Sequence, residues 1–158
     1  MRDQIHRLIH ALKYQKHPSI GRNIGCELFT RIQNVLDFST IDYLIPVPLH
    51  KKREHERGFN QSHFIALGLQ SRYKNLKILD AVHRVKYTYS QVALNSDERR
   101  QNVSDAFSLN RRKQNCIAGA SIAIIDDVLT TGATSLACAS VLKNAGAERV
   151  VIITAAFA

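Results

Sequence analysis

The 158-residue chain lacks several features that would assign it to a protein class at once. No apolar run reaches the length of a membrane span, and the N-terminal residues MRDQIHRLIH contain no apolar core of a secretion signal. The three cysteines, Cys26, Cys116 and Cys138, form no CxxC pair and are odd in number. These absences argue against a membrane span, a disulfide framework and a zinc site, and they predict reduced thiols in the cytoplasm.

Internal repeats, low-complexity tracts and linker-like stretches are also absent. The composition is 45% hydrophobic and 22% charged, which is ordinary for a globular protein. A chain of this length suits one domain with a substantial core. We therefore expect a single domain over residues 1–158.

Negative charge is scarce relative to positive charge, and the formal net charge is +9. Residues 1–113 hold 20 Lys and Arg against 10 Asp and Glu, whereas residues 114–158 are close to neutral. A positive field attracts polyanions such as pyrophosphate, nucleotides or nucleic acid, although a basic surface also serves solubility alone. Charge by itself does not choose between these interpretations.

The most informative segment is residues 122–134, IAIIDDVLTTGAT. Its β-branched run without helical periodicity predicts a buried parallel strand. Residues 136–144 have the apolar spacing of a helix that stops at Gly146. The loop between them, residues 129–134, therefore lies at the edge where open α/β sheets place ligands, and the N–H groups of a helix N-terminus suit a phosphate.

This loop supplies hydroxyl donors and one glycine that lets the backbone approach a ligand: Thr130, Thr131, Gly132, Thr134 and Ser135. The adjacent carboxylates of Asp126 and Asp127 suit a ligand that also carries hydroxyl groups, or a bridging divalent cation. A P-loop needs a Gly-Lys-Ser/Thr ending and a dinucleotide fingerprint needs three spaced glycines, and neither is present. The remaining alternative is a strand-turn-helix whose acids only cap and solvate.

Apolar spacing along the rest of the chain predicts alternating helices and strands. Helices are predicted at residues 3–14, 24–38, 60–73 and 96–103, and strands at 43–48, 78–85, 106–109 and 150–155. Asn60 is the predicted N-cap of its helix, with Phe59 and Phe64 as a hydrophobic staple. Residues 51–57 are predicted to form a charged loop, 87–95 a mobile loop and 111–113 a basic turn. The alternation implies a parallel sheet flanked by helices on both faces.

Residues 122–134 resemble the phosphoribosyl pyrophosphate (PRPP) motif of the type I phosphoribosyltransferases over thirteen consecutive positions. The resemblance implies a single-domain α/β fold of that type, in which the catalytic Asp126 and Asp127 face the ribose hydroxyls. It implies a 5′-phosphate site formed by Thr130, Thr131, Gly132, Ala133 and Thr134. It also implies Mg²⁺ on the pyrophosphate; no protein ligand of the metal is fixed by the resemblance, and Asp126 and Asp127 are the candidates.

Two further stretches are similar to the ComF branch of competence-associated proteins: VPLHKKREHERGFNQS at 47–62 and RVKYTYSQVALNSDERRQNVSDAF at 84–107. This similarity implies a role in DNA uptake during natural transformation, with competence proteins as partners. ComF proteins usually begin with a cysteine-rich zinc module, and Met1 stands where that module should already have ended. Either the start is internal or the module has been lost, and no zinc is expected in this chain.

Both stretches supply polar side chains that could contact a pyrophosphate leaving group: Arg53, Arg57, Arg84, Lys86, Gln91 and Arg99. Arg57 and then Arg53 are preferred, because the planar guanidinium donates two hydrogen bonds at once. A merely solvated loop is the alternative. Residues 84–100 match the position of the mobile catalytic loop of the superfamily, which closes over substrate.

Three functions stay open at this point. The first is a Mg²⁺-dependent phosphoribosyltransferase, although no general base and no acceptor are identifiable. The second is a module that binds PRPP or a nucleotide without chemistry. The third is the handling of single-stranded DNA by the basic face, with bases stacked on Tyr87 and Tyr89, unless these tyrosines pack on the domain edge.

Overall fold

The computed structural model of the chain describes residues 17–86 and 105–157. The helices predicted at 3–14 and 96–103 and the loop predicted at 87–95 lie outside these residues, as do Gln91, Arg99, Tyr87 and Tyr89. Among the helices of the described part, none combines the length and the apolar character that crossing a bilayer requires.

Helices and strands alternate along most of the described chain. The α-helices are α1 (Pro18–Ile32), α2 (Lys51–Arg57), α3 (Gln61–Arg72), α4 (Gln114–Ile117) and α5 (Ala133–Asn144). The strands are β1 (Tyr43–Pro46), β2 (Lys77–Ile78), β3 (Val82–Arg84), β4 (Phe107–Leu109), β5 (Ser121–Leu129) and β6 (Arg149–Phe157). Short 3₁₀ helices occur at Phe38–Thr40 and Arg111–Lys113.

The central sheet has four parallel strands in the order β2-β1-β5-β6. Side chains of β5 alternate between two cores: Ile122 and Ile124 pack on the side of α5, and Ala123 and Ile125 pack on the side of α1 and α3. A parallel strand covered on both faces needs apolar residues at every position. This requirement explains the uninterrupted apolar run before the acids, and it confirms the predicted α/β fold with a parallel sheet between helices.

Helices α1 and α3 pack backbone against backbone. A Cβ atom added to Gly25 would lie 2.1 Å from the carbonyl oxygen of Ile65, and one added to Gly68 would lie 2.1 Å from that of Arg22. Only glycine permits so close an approach. The contact fixes α3 beneath the sheet and thereby fixes the position of its N-terminus beside the carboxyl ends of the strands.

The strand predicted at residues 78–85 is wrong as a single element. After β2, Leu79 still donates its N–H to the carbonyl of Leu44, but the chain then leaves the sheet. Ala81 and Val82 are instead buried in the core on the α5 side. β3 pairs with β4 in a separate antiparallel ribbon, so the strand predicted at 106–109 exists, outside the parallel sheet.

Other predicted boundaries also shift. Helix α1 begins at Pro18, since proline suits the first turn of a helix, and it ends at Ile32 rather than Phe38. Val35, which the helical pattern had placed inside, is 88% exposed. Leu36 still packs against the core beyond the helix end, so part of the apolar spacing reflects burial without a helix.

The charged loop predicted at 51–57 is wrong, because these residues form α2. Lys, Arg and Glu are good helix formers, and both ends of the segment are capped. His50 Nδ1 accepts a hydrogen bond from the N–H of Lys52 at 3.3 Å, and the N–H of Gly58, at φ 82°, donates to Glu54 at 2.7 Å. A left-handed glycine after the last turn is a common helix stop.

Candidate functional site

The two adjacent acids lie near the carboxyl end of β5 and belong to different faces of the sheet. Asp126 follows the alternation of Ile122 and Ile124 and is 8% exposed. Its Oδ2 accepts a hydrogen bond from the Ser135 hydroxyl at 2.6 Å, and its Oδ1 accepts one from the N–H of Asp127 at 2.9 Å. The first turn of α5 therefore holds the Asp126 carboxylate in place.

Asp127 is half-buried, and by alternation it belongs to the face covered by α1 and α3. The two neighbouring carboxylates thus belong to opposite faces of the sheet. One is anchored within the fold by α5, and the other lies nearer the side on which α3 begins. Sequence proximity alone could not distinguish them.

A short turn, residues 130–132, joins β5 to α5. Gly132 is the N-cap of α5 with φ 76°, a conformation that favours glycine. A Cβ at Gly132 would meet only the side chains of Leu136 and Leu129, at 3.7 and 3.8 Å. The glycine is therefore required by its backbone angle rather than by a crowded neighbour.

The residues predicted to bind phosphate surround this turn. Thr130 is exposed, Thr131 and Thr134 are half-buried, and Ala133 is 8% exposed. The N-cap of the 12-residue helix α5 is a glycine and so has no side chain that could accept a hydrogen bond from the first turn. A side-chain acceptor for that turn comes instead from Thr131, whose Oγ1 accepts the N–H of Ala133 at 3.4 Å. The orphan N–H groups of this first turn and the positive end of the helix dipole suit an anion.

Ser135 differs from the other hydroxyl residues of the segment. It is fully buried, and its hydroxyl donates to Asp126. The sequence prediction that Ser135 adds a phosphate donor is therefore wrong, because the group bonds within the fold. Its role is to orient a carboxylate.

The carboxyl end of β1 lies directly beside β5. The N–H of Val47 donates to the carbonyl of Ile125 at 2.9 Å, and Asn60 Nδ2 donates to the carbonyl of Val47 at 3.0 Å. These bonds tie the start of α3, through the end of β1, to the strand that carries the acids. Because α2 is helical, Arg53 and Arg57 stand four residues apart on one helix face.

Arg84 on β3 approaches the same region. Its guanidinium carbon lies 5.4 Å from the ring centroid of Phe107. Burial lowers the pKa of Arg84, and the neighbouring charge of Arg53 lowers it further, whereas Cys138 and Asp126 act in the opposite direction. The charge of Arg53 thus disfavours that of Arg84, and an anion bound beside Arg84 would offset this effect.

Lys86 lies at the edge of the described residues. Its ammonium forms an ion pair with Asp105 Oδ2 at 3.3 Å, and both side chains are more than half exposed. An exposed pair of this kind contributes little to stability. Lys86 therefore remains able to exchange Asp105 for another anion.

A cavity of about 1020 Å³ opens on the β1 and β2 side of α2. Its lining includes His50, His63, His83 and Arg84, but it does not include Asp126, Asp127 or the turn that follows them. The cavity therefore does not coincide with the acid-bearing junction. Within residues 17–86 and 105–157, no group of three His, Cys, Asp or Glu side chains could by itself hold a metal ion.

Comparisons with known proteins agree with this arrangement. The sequence-family model described as the phosphoribosyl transferase domain matches residues 54–158 of this chain. Competence protein F of Haemophilus influenzae is 34% identical over 147 residues, which cover 90% of this chain and 63% of that protein. Competence protein ComFC of Bacillus subtilis is 33% identical over 95 residues, which cover 58% of this chain and 34% of that protein. The chain thus spans less than two thirds of the length of these relatives.

Among solved structures, a hypoxanthine phosphoribosyltransferase from Staphylococcus aureus superposes with a TM-score of 0.53 at 19% identity, covering 85% of this chain and 61% of that chain. At that identity the likeness concerns the fold alone. The fold predicted from residues 122–134 and the predicted similarity to ComF proteins are both confirmed. The chain belongs to the phosphoribosyl transferase domain family, in its ComF-type branch.

Proposed function

We propose that this protein binds PRPP, or another ligand with a 5′-phosphoribosyl group, together with Mg²⁺ at the carboxyl ends of β1 and β5. The observation that carries the proposal is the β5–α5 junction. There two acids precede a turn whose helix has a left-handed glycine as its N-cap, and Arg84 lies within electrostatic reach of both Asp126 and Arg53 of α2.

In this proposal the 5′-phosphate meets the first turn of α5. The backbone N–H groups of residues 130–134 and the hydroxyls of Thr130, Thr131 and Thr134 donate to its oxygens. Asp127, the more accessible acid, accepts from a ribose hydroxyl. Asp126 is the other acid of the predicted pair. Its hydrogen bond from Ser135 holds its carboxylate in a fixed position relative to the turn.

The donor set fits Mg²⁺ when most of its ligands come from the substrate. Mg²⁺ usually keeps several waters and binds through one or two carboxylates plus substrate phosphates. Asp126 and Asp127 are such carboxylates, and no larger protein cage exists among the described residues. Bound there with PRPP, the metal would neutralise charge on the pyrophosphate.

Arg53, Arg57 and Arg84 would face the pyrophosphate from the β1 side. Support comes from the shared helix face of Arg53 and Arg57 and from the proximity of Arg53 and Arg84. Lys86 would join them by leaving Asp105. Gln91 and Arg99 stay predictions, because they lie outside the described residues.

The relatives named as competence proteins extend the proposal to a role in DNA uptake, with competence proteins as partners. The cytoplasmic location also stays a prediction.

A second candidate ligand is single-stranded DNA bound on the basic face. This candidate relies on Tyr87 and Tyr89, which lie outside the described residues. No contact of the described residues favours it over PRPP. Steep weakening of DNA binding with salt would support this alternative through counterion release.

Equilibrium dialysis with labelled PRPP, run alongside an assay of pyrophosphate release with Mg²⁺ and each common nucleobase, tests the proposal. Binding with base-dependent release would identify a transferase. Binding without release would identify a PRPP-binding module, which the proposal also allows. Absence of PRPP binding would contradict it.

A further inference from the structure

Gln61 is the first residue of α3 and is 1% exposed, which is unusual for an amide side chain. Its Oε1 accepts a hydrogen bond from Arg57 Nη1 at 3.0 Å. Its Nε2 is also buried, and no described residue accepts a hydrogen bond from it. The opposite orientation of the amide would set two donors against each other, so Arg57 determines which way Gln61 faces.

A buried donor without an acceptor costs stability, and methionine would fill a similar volume without that cost. A carboxylate at this position would instead pair with Arg57 as an ion. Of glutamine, methionine and glutamate, only glutamine holds the guanidinium by a hydrogen bond without neutralising its positive charge. Arg57 forms no ion pair with any carboxylate of residues 17–86 and 105–157.

The bond between Arg57 and Gln61 is also tied to the strand that carries the acids. Asn60 accepts the N–H of Ser62 at 3.0 Å and donates to the carbonyl of Val47 at 3.0 Å. Val47 in turn donates to Ile125, the residue before Asp126. These hydrogen bonds, linked through the peptide bond between Asn60 and Gln61, set the guanidinium of Arg57 relative to β5.

We propose that Gln61 is a positioning residue that holds the Arg57 guanidinium for a pyrophosphate group while leaving its charge available. The inference rests on the proposed PRPP site and goes beyond it, since it assigns the side chain that fixes one of the cations. The ligand recognised by Arg57 is a diphosphate, whether free or as part of PRPP.

The test compares the affinity for inorganic pyrophosphate with Mg²⁺, by calorimetry, with the free energy of unfolding in urea. Gln61→Met should bind pyrophosphate at least fivefold more weakly while its unfolding free energy is unchanged or higher, because the unpaired buried donor is gone. Gln61→Glu should bind more weakly still and approach Arg57→Gln, because the carboxylate neutralises the guanidinium. The double variant Gln61→Met/Arg57→Gln should bind no more weakly than Arg57→Gln alone.

Gln33, an exposed glutamine after α1, provides the control: Gln33→Met and Gln33→Glu should leave pyrophosphate affinity unchanged. The inference is overturned if the native chain does not bind pyrophosphate, or if Arg57→Gln or Gln61→Met binds it normally. It is also overturned if Gln61→Met and Gln61→Glu lose affinity only in proportion to lost stability. Failure of the underlying PRPP site gives a different result: pyrophosphate binds as described, but PRPP either does not bind or binds equally well after loss of both the Asp126 and Asp127 carboxylates.

Discussion

Replacing Ser135 by alanine removes one hydrogen bond at the centre of the proposed site. The Ser135 hydroxyl is fully buried and donates to Asp126 Oδ2 at 2.6 Å, and Asp126 itself is 8% exposed. Water therefore has little access to replace the lost donor. Ser135→Ala leaves a buried carboxylate oxygen with one partner fewer.

The expected loss follows from the charge of the acceptor. A hydrogen bond to a charged group contributes about 1.5–3 kcal/mol. Alanine is the better helix former, which returns roughly 0.5 kcal/mol. The net loss in the free energy of unfolding is therefore about 1–2.5 kcal/mol. For a chain of this length each kcal/mol lowers Tm by about 2–4 °C, so Tm should fall by roughly 2–10 °C.

Ser140→Ala is the matched control, since Ser140 is an exposed residue of the same helix. Both changes gain the same helix propensity, so the difference between the two variants isolates the bond to Asp126. Urea unfolding at neutral pH should place Ser135→Ala about 1.5–3 kcal/mol below Ser140→Ala. Equal unfolding free energies would refute the reasoning, because the bond would then contribute nothing.

Three further expectations concern the elements around the site. Asn60→Ala removes the N-cap of α3 and the bond to Val47, so urea unfolding should show a loss of about 1–2 kcal/mol, with the exposed Asn34→Ala as control; an unchanged value would contradict the cap. Gly68→Ala places a methyl group 2.1 Å from the carbonyl oxygen of Arg22, and thermal unfolding should show a net loss of roughly 1–3 kcal/mol despite the better helix propensity of alanine; a more stable variant would refute the close packing of α1 and α3. Burial raises the pKa of the Cys138 thiol and keeps it protonated, so a thiol reagent at pH 8 should modify at most Cys26 and Cys116 before unfolding; three fast thiols would be inconsistent with the core.

The acid-bearing junction and α3 could be predicted because their signals are local. The apolar run of β5 and the following glycine fix a strand and a turn within a few residues. Asn60 is confirmed as the N-cap of α3 through its bond to Ser62, and the rings of Phe59 and Phe64 lie 5.4 Å apart as the predicted staple.

Helix α2 could not be predicted from apolar periodicity, because its seven residues are all charged or histidine. Its signal is in the caps: Gly58 follows the segment and His50 precedes it. The loop prediction weighed the absence of apolar residues above these caps. The correction matters for the site, since only a helix places Arg53 and Arg57 on one face.

The roles of Ser135 and Gln61 and the pairing of β3 with β4 depend on contacts that no local pattern encodes. Ser135 lies nine residues from Asp126, and the hydroxyl run of residues 130–135 gives no sign that one member is buried. β3 and β4 have three residues each, too few for a period, and they are separated by more than twenty residues of chain. Such pairings are set by the packing of the whole domain.

Calorimetric titration of PRPP, with and without Mg²⁺, tests the central claim most directly. The native chain should bind PRPP in a Mg²⁺-dependent manner, and Asp126→Asn/Asp127→Asn should abolish binding, because both carboxylates contribute to holding the metal and the ribose. Glu148→Gln, which removes an exposed acid just before β6 and outside the β5–α5 junction, should bind as the native chain does. PRPP binding that is independent of Mg²⁺, or that the double variant retains, would contradict the assignment of the site to the carboxyl end of β5.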